Sequence, residues 1–273
     1  MLDEGVIRVS ELAIYPLKSA RQVRVSEMTL GVLGPAWDRR WMLVDADGRF
    51  VTQRSHARLC LLSATVEHDA LRLAAPGMSA LLVQPVVDPE RLEVTVWNDT
   101  VLAEAVSPEA DAWCSAFLGM PVRLVFMPET AQRIVSPAVA GPGQHTGFSD
   151  GFPLLLVTQA SLDHLNAQLE SPVDWRRFRP NIVLAGAMPP HAEDDWRRLR
   201  IGAVELEIVK PCSRCVIPSI DPDTGVKNGQ ILTILRSYRA RADRKTYFGQ
   251  NVIVKKRPEM ACLRVGDLVS VLE

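Results

Sequence analysis

Cys212 and Cys215 form the one close thiol pair in the chain, set in the segment Lys210-Pro-Cys-Ser-Arg-Cys215, while Cys60, Cys114 and Cys262 stand alone. A structural zinc wants four ligands, and no His-x-x-x-His spacing or second cysteine pair is present to complete a set. An iron-sulfur cluster fails on the same count. A thioredoxin-type dithiol opens a helix, but here Val216-Ile-Pro-Ser-Ile-Asp-Pro-Asp follows, which cannot start one. Two readings remain open, a reactive or metal-binding thiolate and a pair of partly buried thiols without a role. Lys210 and Arg214 flank the thiols in sequence, and cations beside a thiol favour the thiolate that nucleophiles and soft-metal ligands require.

Other polar residues carry weaker signals. If residues 177–182 are extended, Arg177, Arg179 and Asn181 share one face and Phe178 and Ile182 the other, a face suited to a planar anion. Pro180 then confines that strand to an edge or a bulge. Arg176 reads equally well as part of a solvated charge run. Lys18 and Ser19 read alone as a polar turn after a strand. The five histidines (56, 68, 145, 164 and 191) are scattered, with no pair at a ligand spacing. Asp221 and Asp223, in Asp-Pro-Asp-Thr-Gly, are turn formers before they are acids or bases.

The elements that must position these residues are mostly strands. Val9–Tyr15 ends at Pro16, residues 40–44 and 50–53 read as a hairpin across Asp45-Ala-Asp-Gly48, and 92–97 and 101–105 as another across Asn98-Asp99. Ser107-Pro108-Glu109 starts a helix that runs through Leu118 to Gly119. Residues 127–150 read as a long connection, a candidate wall for a pocket. In the second half, 152–157 is a buried strand and Thr158 caps a helix over 161–169. A strand follows near 181–184, and Ala203–Val209 alternates cleanly into the cysteine segment. Residues 231–239 have helical spacing, and 252–254 and 268–272 close the chain as strands. The expected class is α+β, predominantly β: an N-terminal β-barrel-like domain over 1–126 and a second β-barrel domain with a few short helices over 127–273.

Bulk properties narrow the partners. With 31 basic against 32 acidic residues among 273, no general polyanion surface is expected and nucleic acid is disfavoured. Any anion site must be local. The N-terminus starts acidic, without the charge and apolar core of a signal peptide, and no apolar run is long enough to span a bilayer. The expectation is a cytoplasmic protein without membrane association.

The segment Lys-Pro-Cys-Ser-Arg-Cys-Val-Ile-Pro-Ser-Ile-Asp-Pro-Asp-Thr-Gly resembles the signature of the MOSC domain, named from the C-terminus of molybdenum cofactor sulfurase. Tyr15-Pro-Leu-Lys-Ser19, Trp37-Asp-Arg-Arg-Trp41, Phe178-Arg-Pro-Asn-Ile182 and Phe248-Gly-Gln-Asn251 extend the resemblance over nearly the whole chain, to the amidoxime-reducing component and its bacterial relatives. The resemblance implies that Cys215 is the thiolate ligand of a molybdenum-molybdopterin cofactor and the catalytic centre, and leaves Cys212 without a ligand role. It implies Lys18, Ser19, Arg39, Arg179 and Asn181 as the cradle of the anionic pterin, with Asp150, Ser213, Arg214 and Asn251 at its rim. The implied activity is reduction of small N-hydroxylated substrates (hydroxylamines, N-hydroxylated bases, amidoximes), the substrate oxygen passing to the metal between Mo(IV) and Mo(VI). With no cysteine set left for a cluster, electrons are expected from a separate ferredoxin-like or other redox protein. The alternative is a carrier that holds a Cys215 persulfide or the cofactor without turnover.

Overall fold

The computed structural model describes residues 6–259 and 261–273, so the acidic leader behind the signal-peptide reading lies outside the described residues. The alternation over 203–209 is realised as a strand, with Val204, Leu206 and Ile208 buried and Glu205 and Glu207 half-exposed. That strand runs further than expected, Val204–Ser213, and so carries Cys212 within it. It pairs antiparallel with Tyr247–Lys256, through bulges that re-aim its last residues.

Both strands belong to an eight-stranded sheet in the order Val269–Val271, Arg198–Ile201, Val204–Ser213, Tyr247–Lys256, Leu154–Thr158, Ile182–Ala185, Arg8–Ile14 and Val23–Val25. Only Leu154–Thr158 and Ile182–Ala185 run parallel, joined by a crossover that contains the helix Gln159–Asn166. The sheet curls until the edge at Val269–Val271 meets the penultimate strand Arg8–Ile14, the Val9 N–H donating to Asp267 O (2.9 Å) and the Val269 N–H to Ile7 O (2.9 Å). Its interior holds Leu12, Leu156, Ile182, Leu184, Leu206 and Val252. Burying each of these stabilises the fold by about 1.5–3 kcal/mol before the entropy of ordering is set against it.

The first half builds a four-stranded sheet, Trp41–Val44, Arg123–Phe126, Asp99–Ala105 and Arg91–Val96, and a three-stranded one, Ser63–Glu67, Ala70–Ala74 and Leu81–Val83. The helix Pro108–Leu118 presents Ala110, Cys114 and Phe117 to this core at spacings of one helical face. Ser107 caps it by accepting from the Ala110 N–H, and Gly119 ends it in the left-handed region. Thr158 caps Gln159–Asn166 in the same way, through the Ser161 N–H. The class is α+β and predominantly β, as expected, with an N-terminal barrel. The layers do not follow chain order, because Arg8–Ile14 joins the second half's sheet and Glu27–Gly31 pairs with Cys262–Arg264.

Three local expectations are corrected. The 40–53 hairpin is reduced to a bridge between Val44 and Phe50, and Trp41–Val44 takes Arg123–Phe126 as its partner instead. The second hairpin turns one residue early, at Trp97-Asn98, since Asp99 pairs with Val96. Residues 175–177 form a 3-10 turn and Arg179 has φ +58°, so 177–181 is not a strand. Asp174 takes the N-cap of that turn and competes successfully with extension. Arg177 therefore pairs with Asp221 (2.8 Å), and Pro180 precedes an interior strand rather than lying in an edge.

Candidate functional site

The strand end at Ser213 is tied to its neighbour through Tyr247, and the next peptide N–H, that of Arg214, donates to Thr246 O at 2.8 Å. Asn251 Nδ2 donates to the Lys210 and Pro211 carbonyls (3.4 and 3.3 Å) and holds the approach to the cysteines. Cys212 and Cys215 are both free and half-buried.

The cations around them differ from the sequence-adjacent ones. Arg214 Nη1 donates to Cys212 Sγ (3.0 Å) and Nη2 to Phe178 O (2.7 Å), and Lys210 lies over the Phe152 ring (4.9 Å). The cation that couples to Cys215 is Arg54, from the first half. Burial works against its charge, but Asp150 and Cys215 outweigh that and raise its pKa. Arg214 and Cys215 lie beyond the strand end at Ser213, and the Arg214 side chain is taken by Cys212 and the Phe178 carbonyl, so adjacency in sequence did not place that cation on Cys215.

A second wall comes from the first half. Lys18, 4% exposed, donates through Nζ to Phe148 O and to Asp150 Oδ1, both at 2.7 Å. Burial pushes its pKa down to about 8, with Asp150 opposing the drop. Asp150 also accepts from Arg54 (2.7 Å) and Trp97 Nε1 (3.3 Å). Loss of hydration works to raise its pKa, but Lys18 and Arg54 hold it well below the ordinary carboxylate range. Asp150 is thus an anion at neutral pH that orders two cations.

Behind them, Arg39 and Arg179 place their guanidinium groups 4.1 and 4.2 Å from the Tyr15 ring centroid, one cation-π contact each. Burial lowers the Arg179 pKa to about 10, with Tyr15 opposing, so it stays charged at neutral pH. Asn181, 1% exposed, donates to Ala13 O and Asp38 Oδ1 and accepts from Arg39 and the Leu155 N–H. Ser19, Arg39 and Arg179 all sit at positive φ (67°, 48° and 58°). Each such residue costs about 1–2 kcal/mol, a strain that persists only where surroundings over-determine it. For Arg39 they do: its N–H donates to Tyr15 O and its carbonyl accepts from Phe148 at 2.7 Å.

These walls enclose a cavity of about 590 Å³, within the range of small-molecule sites. Lys18, Ser19, Arg39, Asp150, Arg179, Asn181, Ser213, Arg214, Cys215 and Asn251 all line it, brought together from both halves. Sequence reasoning missed Arg54, Trp97, Phe152, Arg236, Arg244 and Lys245, none of which sits in a local pattern that marks a site. Arg133, also missed, is buried and donates to the Gly147 and Ser149 carbonyls (2.8 and 2.5 Å), which fixes the loop that carries Asp150. Of the 127–150 connection, only Ser149 and Asp150 line the cavity, and the stretch is interrupted by the short helix Pro137–Ala140.

Nine cationic side chains line the cavity against one carboxylate, and the buried Arg214 Nε has no partner among the described residues. The site is therefore suited to a multiply charged anion. No three His, Cys, Asp or Glu side chains converge as a metal set among the described residues. A metal on Cys215 would need its remaining ligands from a bound group, and an anionic group with its own sulfur donors fits both the charge and the volume. His164 and His191, distant in sequence, do meet, at 3.1 Å, but outside this cavity.

Residues 6–121 match the family described as the MOSC N-terminal beta barrel domain, and residues 143–270 the MOSC domain. The mouse protein named mitochondrial amidoxime-reducing component 1 is 35% identical over 97% of this chain and 82% of its own length. The human protein of the same name is 35% identical over 99% and 85%. Among solved structures, the YUAD protein of Bacillus subtilis aligns with TM-score 0.41 and 9% identity, covering 97% of this chain and 94% of its own.

Proposed function

This chain belongs to the family of MOSC-domain proteins that includes the mitochondrial amidoxime-reducing components, and from that membership we propose that it is a molybdenum-cofactor-dependent reductase of N-hydroxylated compounds. The observation that carries the reading is the cavity itself: the free thiols of Cys212 and Cys215 open into a space walled by nine cations and one fixed anion. Lys18 and Arg54 pair with Asp150 and Arg39 with Asp38, and neutral or cationic ligands would leave the remaining cations uncompensated.

In this reading Cys215 supplies the protein's thiolate to the metal. Lys18, Arg39 and Arg179, with Ser19, hold the phosphate of the pterin through charge-assisted hydrogen bonds. Asn181 keeps Arg39 and Asp38 in register, and Ser213, Arg214 and Asn251 set the strand end that presents Cys215. Asp150 serves as a positioning residue, since a carboxylate held this far below its ordinary pKa is no proton donor. When bound, the cofactor supplies the electron-pair chemistry that converts N–OH to N–H with release of water. Phe152, Trp97 and Phe178 line the same cavity and supply its aromatic surface.

The division into domains at 126/127 belongs to the same proposal, as does a separate electron-donor protein. So does cytoplasmic placement, which sits with the finding that no helix among the described residues is long and apolar enough to cross a membrane.

The test is metal analysis of protein from a cofactor-competent host, together with reduction of benzamidoxime and hydroxylamine by an artificial electron donor. Stoichiometric molybdenum with turnover is expected. Cys215→Ser should remove both, and Cys212→Ser should retain most of each. Sulfane sulfur on Cys215 without molybdenum would replace the reductase with the carrier.

A further inference from the structure

The cavity's cations fall into two groups by how they are held. Lys18, Arg39, Arg54, Arg179 and Arg214 all donate to fixed acceptors within the protein. Lys210, Arg236 and Arg244 make no side-chain hydrogen bond or ion pair among the described residues, Lys210 lying over the Phe152 ring, and Lys245 reaches only Asp243, at 3.9 Å. Arg236, Arg244 and Lys245 come from one stretch, the last turn of the helix Gln230–Arg239 and the turn that follows it. A cation at a helix C-terminus offsets the helix dipole, which accounts for Arg236 but not for the other two.

That turn has a defined shape. The Arg241 N–H donates to Lys245 O (3.0 Å), the Arg244 N–H to Arg241 O (2.9 Å), and Arg244 is held at φ +62°. Its end is fixed to the cysteine segment, because Thr246 O accepts from the Arg214 N–H. Arg236, Arg244 and Lys245 thus line the cavity from a segment bound next to Cys215, without a close counterion, and are not among the residues proposed to hold the pterin phosphate. Asp243, the nearby carboxylate, accepts from the Tyr247 hydroxyl at 2.6 Å and does not line the cavity.

We propose that Arg236, Arg244 and Lys245 form an anion subsite that selects N-hydroxylated substrates bearing a carboxylate or phosphate, with the N–OH end presented toward Cys215. The proposal rests on the reductase reading and adds the class of substrate. All three are exposed, and ion pairs at exposed sites are individually weak, so together they favour an anionic substrate by roughly tenfold, an advantage that salt reduces.

The experiment compares benzamidoxime with 4-carboxybenzamidoxime on the molybdenum-loaded protein, and on the combined variant Arg236→Gln, Arg244→Gln, Lys245→Gln. The wild type should prefer the carboxylated substrate. The variant should lose about tenfold in kcat/KM on it, through KM, and so lose the preference for it over benzamidoxime. Calorimetric binding of 4-amidinobenzoate, which needs no turnover, should weaken in parallel. Weakened binding without turnover of either amidoxime by any form would support the subsite and sink the reductase. Turnover of both substrates without preference, unchanged in the variant, would overturn the subsite and leave the reductase standing. Loss of molybdenum from the variant would assign these cations to the cofactor and overturn the proposal. A loss of rate confined to an acidic electron-donor protein would overturn it in favour of a docking surface.

Discussion

Replacing Lys18 by methionine tests whether the cavity holds a desolvated cation in readiness for an anion. In the unfolded chain Lys18 keeps its proton up to the ordinary lysine value of 10.5, and in the folded protein it releases it at about 8. Between those values the unfolded state binds the extra proton, so stability rises with pH, and the contribution of Lys18 is at its least favourable below pH 8. The interval, at about 1.36 kcal/mol per pH unit, corresponds to about 3 kcal/mol, or more than 100-fold in the folding equilibrium. Methionine fills similar volume beside Phe50, whose ring centroid lies 5.4 Å from Lys18 Nζ, and does not titrate. Urea unfolding of both proteins without cofactor, from about pH 7 to about pH 10.5, isolates the Lys18 contribution by difference. The wild type should gain on the variant by about 3 kcal/mol across that window, and inorganic phosphate should push the rise to higher pH by favouring charged Lys18. A difference that stays flat, or that shrinks as pH rises, would refute the reasoning.

Asn181→Ala leaves buried Asp38 and the Leu155 N–H each short of a partner, and should lower stability by about 3 kcal/mol in urea unfolding and reduce retained molybdenum. In Glu193→Gln, the carboxylate that accepts from Thr158 and Ser161 becomes a neutral amide. Burial raises the Glu193 pKa, so the wild type loses stability as pH rises above 4.5. The variant should therefore be the more stable at neutral pH, with the gain vanishing below that value in denaturant titrations. A Cβ at Gly249 (φ +73°) would stand 2.7 Å from Leu156 O, so Gly249→Ala should cost about 2 kcal/mol or more in thermal unfolding.

Much of the fold was legible in the sequence because its signals are local. Ser107 and Thr158 cap helices through N–H groups three residues on, the 203–209 alternation follows from the two-residue period of a strand, and Asp221 forms its turn through the Asp223 and Thr224 N–H groups. The ordered motifs also placed Lys18, Arg39, Arg179 and Cys215 on one list, and the cavity brings all four together.

Tertiary structure alone decided which cation meets which thiol and how the backbone carries the arginines. Arg54 couples to Cys215 while Arg214 turns to Cys212, and Arg179 leaves an expected strand for a left-handed turn behind Tyr15. These outcomes depend on the register between segments more than a hundred residues apart, and on which neighbour satisfies each buried charge. Neither is encoded in the period or the capping of any one segment.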